Sequence, residues 1–134
     1  MRVLVDSSAW AEFFNEHPSP AREAVARLLG AEDDVCTCGV VVGEVLQGLR
    51  HDRTRRPIER LFGQMTFLEA RGFETYVRAA DLYRSLRRRG TTVRSTIDCL
   101  IVVLAEENAC AVLARDRDLS AILGSGLTPA RAFS

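Results

Sequence analysis

Four short apolar runs, each too brief for a helix and each set apart by a stretch of helical spacing, constrain this chain most. Val3 to Val5, "DVCTC" at 34–38, "MTFLEA" at 65–70 and "CAVLA" at 110–114 read as strands. Between the first two, Ser8 to Asn15 carries Trp10, Phe13 and Phe14 at helical spacing, and "EHPSP" ends that helix. Pro20 suits the first turn of a second helix over Ala21 to Leu29, with Gly30 just past its end. "GVVVGEVLQGLR" keeps Val42, Val45, Leu46 and Leu49 in an i, i+3, i+4, i+7 pattern and reads as helix, although Gly43 and Gly48 weaken it. "HDRTRR" is a polar connection to a helix over Pro57 to Gln64. Phe73 to Arg89 is the longest helix, with Tyr76, Val77, Ala80, Tyr83 and Leu86 on one face and Gly90 as its stop. "STIDCLIVVLAEENA" is mostly apolar and so a buried helix, and "RDRDLSAIL" leads into a short last one. Strands alternating with helices predict an α/β fold of three layers, α/β/α, around a central parallel sheet. Without repeats, linkers or low-complexity segments, residues 1–134 read as a single domain.

Composition removes several classes. At 47% hydrophobic and 27% charged, the chain is ordinary globular protein rather than disordered. Its 18 basic and 18 acidic residues cancel, so any case for nucleic-acid binding must come from charge distribution. All 18 basic residues are arginine, which excludes mechanisms that need a lysine. Asp6 interrupts the first apolar run too early for a signal peptide, and no segment approaches the roughly 18 apolar residues of a membrane span. Cys36, Cys38, Cys99 and Cys110 lack zinc spacing; Cys36 and Cys38 share a strand face, where they do not bridge easily. All four read as reduced residues of a cytoplasmic protein.

The carboxylates carry the chemistry. In open parallel sheets, sites form outside the carboxyl ends of the strands. Asp6 directly follows the first strand, and Asp116 follows "CAVLA" two residues beyond its last apolar position. Asp98 lies in the first turn of the apolar "TIDCLIVVL" helix, and Glu44 interrupts "VVVGEVLQGL". Each has a bland explanation: Asp6 and Asp116 as helix caps, Asp98 as a charge at a helix N-terminus, Glu44 as a solvent-facing residue. Four such residues beside strand ends and helix starts point to one shared cause, a divalent cation such as magnesium or manganese. His17 and His51 both fall in polar connections, and neither is positioned as a base. Carboxylate chemistry without Lys, His or Cys points to metal-activated water attacking a phosphodiester.

"VLVDSSAW", "GEVLQGLR", "STIDCLIVVLA" and "VLARDRDL", in that order and spacing, resemble the PIN-domain ribonucleases, and most closely the VapC-type toxins of bacterial toxin–antitoxin pairs. The resemblance covers essentially the whole chain. It implies that Asp6, Glu44, Asp98 and Asp116 are the acidic site, with Asp6 and Asp98 the principal magnesium ligands. Ser7 or Ser8, and Thr96, match small hydroxyl residues that orient carboxylates or water. Asp118 is a fifth acid, because the family varies in which Asp of the last motif reaches the metal. Leu119 stands where a Phe is common, a packing change. The resemblance also implies a structured RNA substrate, with tRNA the first expectation, a homodimer, and a cognate VapB-type antitoxin whose C-terminal segment lies in a groove beside the acids.

Two arginine groups stand out: Arg50, Arg53, Arg55 and Arg56, and then Arg84, Arg87, Arg88 and Arg89. They read either as solvated faces with cations at a helix C-terminus or as phosphate-tracking surface around an acidic site. Arg115, next to Asp116, is a further candidate for a substrate phosphate. Trp10, Phe13 and Phe14 read as stacking platforms for bases or as core. The rivals are a PIN nuclease of RNA processing without a toxin role and a catalytically inactive RNA-binding PIN module. A phosphoacceptor receiver domain needs the absent lysine, and a haloacid-dehalogenase-type phosphatase needs an Asp where Ser8 stands.

Overall fold

In the computed structural model, which describes residues 1–15 and 18–134, strands β1 (Arg2–Val5), β2 (Asp34–Cys38), β3 (Thr66–Leu68) and β4 (Ala111–Leu113) form one sheet in the order β3-β2-β1-β4. Every pairing is parallel, and Leu4 faces Cys36 on one side and Val112 on the other. Val3, Leu4 and Val5 are all 0% exposed. Successive side chains on a strand point to opposite faces, so the sheet is covered on both. The strand expected in "MTFLEA" is its middle three residues. A segment near the C-terminus extends the β4 edge: Val112 N–H donates to Arg131 O at 2.9 Å, and Phe133 N–H donates to Val112 O at 2.8 Å.

The helices among the described residues are α1 (Ser7–Phe14), α2 (Pro20–Gly30), α3 (Gly39–Gln47), α4 (Arg55–Gly63), α5 (Phe73–Arg88), α6 (Thr96–Glu107) and α7 (Arg117–Leu123). α1 packs on α2 and α3, while α6 packs on α5 and α7. α1 ends at Phe14, one residue short of the expected Asn15, and of the expected stop "EHPSP" Glu16 and His17 lie outside the described residues. Gly30 is the last residue of α2 rather than the first beyond it. α4 begins two residues before Pro57, after a short 3-10 turn at Asp52–Thr54. Pro57 is still within the first turn, where a missing N–H breaks no helical hydrogen bond.

α5 turns a different face inward from the one its sequence spacing predicts. Thr75, Ala79, Leu82 and Leu86 are buried, whereas Tyr76 and Ala80 are exposed and Val77 and Tyr83 half-buried. The reason is Thr75, whose polar side chain hides the start of the stripe. Its hydroxyl accepts from Arg71 N–H at 2.9 Å and lies 3.0 Å from both Glu107 carboxylate oxygens, so it is buried with partners. The helix stops as expected at Gly90, at φ 83°. Gly90 N–H bonds Arg87 O and Thr91 N–H bonds Leu86 O, a Schellman motif whose left-handed position favours glycine.

Trp10 belongs to the core: it is 0% exposed, stacks on Phe14 at 5.5 Å and meets Phe62 edge-on at 5.3 Å. Trp10 is therefore core and not a stacking platform for bases. All four cysteines are free and buried, with the Cys36 and Cys110 sulfurs 3.9 Å apart. No helix of the described residues is long and apolar enough to cross a membrane.

Candidate active site

β1 lies inside the sheet, with β2 on one side and β4 on the other. Chain connections therefore leave in opposite directions at the carboxyl ends of β1 and β4, where open sheets form their crevices. Asp6 ends β1 at this point. Its backbone N–H donates to Leu113 O at 2.8 Å, which ties the two strand ends together. Its side chain is only 4% exposed and caps α1, with Oδ2 accepting from Ser8 N–H at 3.1 Å and Ser8 Oγ–H at 2.6 Å. Ser8 Oγ in turn accepts from the Arg115 N–H at 2.8 Å. Ser8 thus holds the Asp6 carboxylate, and Ser7 does something else: its hydroxyl donates to Glu44 Oε1 at 3.2 Å.

Three acids close the other side. Asp98, Asp116 and Asp118 each offer a carboxylate oxygen, all within 4.8 Å of one another. Asp116 caps α7 through Oδ1, which accepts from Leu119 N–H at 3.0 Å. Among the described residues, no donor reaches the Asp98 carboxylate. Burial, reinforced by the charges of Asp116, Asp6 and Asp118, pushes Asp98 up to about 6. Burial first, then Asp6 and Asp116, also raises Glu44 against the opposing Ser7 hydrogen bond. Beyond its own burial, the Cys38 thiol is pushed up by Asp6 and Glu44. Asp6 and Asp116 therefore act on both Asp98 and Glu44, while Asp118 acts on Asp98 alone and is itself held down by its hydrogen bonds from Arg94.

Such a donor set suits a hard divalent cation. It consists of oxygens alone, several of them without a hydrogen-bond donor, and like charges this close favour either protonation or a bound cation. Asp98, Asp116 and Asp118 are the acids close enough to share such an ion, whereas Asp6 and Glu44 lie outside that group of three.

Other expected residues sit differently. Ser95 caps α6 by accepting from Ile97 N–H at 2.9 Å. Thr96 is exposed, and among the described residues its hydroxyl makes no hydrogen bond. Arg115 points its guanidinium at Glu12, at 3.1 Å, and its backbone N–H donates to Ser8 Oγ, the hydroxyl that holds Asp6. Arg87 and Arg88 are exposed in the last turn of α5, and no carboxylate pairs with either among the described residues. The residue that sequence reasoning missed is Arg94. Its Nε lies 2.9 Å from Asp118 Oδ2 and its terminal nitrogen 3.2 Å from Asp116 Oδ2. One arginine among 18, paired with acids more than 20 positions away, leaves no local signal. A groove of about 1060 Å³ runs from Ser7, Ser8 and Glu44 over Phe14 and Ile58 to Arg50 and Arg53.

The family model of the PIN domain matches residues 3–123. The chain belongs to the PIN-domain family. Ribonuclease VapC11 of Mycobacterium tuberculosis is 37% identical over 121 residues, 90% of each chain. Among solved structures, VapBC-1 of nontypeable Haemophilus influenzae matches at a TM-score of 0.72 and 14% identity, covering 100% of this chain and 98% of that one. VapC20 of Mycobacterium tuberculosis, described as a sarcin-ricin loop cleaving toxin, matches at 0.64 and 20% identity, covering 96% and 98%.

Proposed function

We propose that this chain is a metal-dependent endoribonuclease of the VapC type, the toxin of a toxin–antitoxin pair, acting as a single domain over residues 1–134 in the cytoplasm. The observation that carries the reading is the meeting of Asp98, Asp116 and Asp118 within 4.8 Å of one another, near the end of β1 where Asp6 stands. The 37% identity to a ribonuclease named VapC11 supports it. Asp6, Glu44, Asp98 and Asp116 are the catalytic acids, with Asp118 as a further ligand, and magnesium, or manganese in its place, is the ion they would hold. When bound, such an ion lowers the pKa of water and offsets charge on a phosphoryl oxygen.

This chain's own residues do the rest. Ser8 fixes the Asp6 carboxylate, leaving its second oxygen free, and Ser7 orients Glu44. The site opens into the groove, whose apolar floor and Arg50 and Arg53 suit a segment of a VapB-type antitoxin lying beside the acids. Arg87 and Arg88 offer unpaired charge to RNA phosphates. The chain acts as a homodimer, and a monomer in sedimentation would contradict that part.

Purified protein freed of antitoxin should cleave a structured RNA with magnesium or manganese and stop in excess EDTA. Transfer RNA and a sarcin-ricin loop fragment, the target of the VapC20 relative, are the two substrates to compare. Asp6→Asn should lower the rate by several orders of magnitude while the protein stays folded. Undiminished cleavage in EDTA would refute the mechanism.

A further inference from the structure

Arg94 reaches two of the three carboxylates that a cation would use. Its Nε and its own backbone N–H both donate to Asp118 Oδ2, at 2.9 and 3.0 Å, and its terminal nitrogen donates to Asp116 Oδ2 at 3.2 Å. Asp116 and Asp118 are two of the three acids whose oxygens lie within 4.8 Å of one another. A guanidinium and a divalent ion would therefore compete for two of the same carboxylates. The Arg94 side chain is 77% exposed, whereas those of Asp116 and Asp118 are 21% and 14% exposed. The arginine reaches in from solvent, so it can swing back into water with little loss of packing, and exposed ion pairs are weak. The acids are fixed by comparison: Asp116 is held by the α7 N-terminus.

We propose that Arg94 is a built-in counter-ion of the acidic site, one that neutralises Asp116 and Asp118 in the absence of metal and must be displaced from them when a divalent cation binds. It is a positioning residue that sets the metal affinity of the free chain. The proposal rests on the reading of these acids as a metal site. It carries two consequences of opposite sign. Without Arg94 the metal-free fold loses a cation from a crowded negative cluster and becomes less stable. Yet metal no longer competes with an internal charge, and binds more tightly. A merely structural arginine would give the first effect without the second.

The test is calorimetric titration of manganese into the antitoxin-free chain at fixed pH and ionic strength, for wild type, Arg94→Gln, Arg94→Lys and Asp98→Asn. Arg94→Gln should bind manganese severalfold more tightly than wild type and melt at a lower temperature without metal. Arg94→Lys, which keeps the charge but loses the fork across two acids, should fall between them. Equal or weaker binding by Arg94→Gln, with wild type still saturable, overturns the Arg94 proposal and leaves the metal site standing. If Arg94→Gln does not fold, equal affinities for wild type and Arg94→Lys overturn it. Failure of wild type to bind, or binding by Asp98→Asn equal to wild type, defeats the metal-site reading and the proposal with it.

Discussion

Asp6 shows why the choice between helix cap and metal ligand was not a real alternative. A carboxylate has two oxygens and about four lone-pair sites. Oδ2 of Asp6 takes both Ser8 donors and Oδ1 of Asp116 takes the Leu119 N–H, so each acid caps a helix with one oxygen, and the second oxygen of Asp116 meets Arg94. Asp98 is the informative residue because no described donor relieves it. With a folded pKa of about 6 against 3.8 for an ordinary Asp, its protonated form is favoured by folding. Its contribution is fully present below about pH 4 and is lost as pH rises through 6. Glu44, also raised, acts in the same direction. Asp34, lowered first by the Thr66 hydroxyl and then by Arg2, acts in the opposite one. The difference between wild type and Asp98→Asn isolates the effect. In denaturant melts without metal, Asp98→Asn should be more stable by about 1 kcal/mol at pH 7.5, allowing for solvent screening, and the gap should close by pH 4. A gap independent of pH would show that Asp98 is not the strained acid.

α5 carries both the largest misreading and an untested function. Its strong start and stop were legible because Phe73 opens an apolar pattern and Gly90 supplies a left-handed position. Its buried face was not legible, because Thr75 becomes core only through partners on α6 and in the preceding loop. Helix starts were displaced for the same kind of reason: Pro57 signals a first turn without saying which of its residues comes first. The exposed end of α5 presents Arg87 and Arg88. Replacing both by Gln should weaken RNA binding and flatten the dependence of log affinity on log salt by up to about 0.7 per lost phosphate contact on a single strand. An unaltered slope would return them to a solvated helix end, where cations favour the carbonyl dipoles.

At the scale of the molecule, a parallel sheet was legible from short strands alternating with helices. The position of Asp6 and Asp116 at strand ends was legible with it. The order β3-β2-β1-β4 was not, since it depends on which helices cover which face, and without it the switch point between β1 and β4 has no location. That arrangement sets the end of β1, where Asp6 stands, beside the end of β4, which leads to Asp116. It also implies a fold that bears repulsion a cation relieves, as a ligand binding only the folded state adds stability in proportion to the logarithm of its concentration over its dissociation constant. The most direct measurement is the melting temperature of wild type and Asp98→Asn, titrated with magnesium at pH 7.5. Wild type should start lower and climb with magnesium, while Asp98→Asn starts higher and gains little. An Asp98→Asn protein that starts lower than wild type, with magnesium shifting both alike, would contradict the convergence of these acids on a cation.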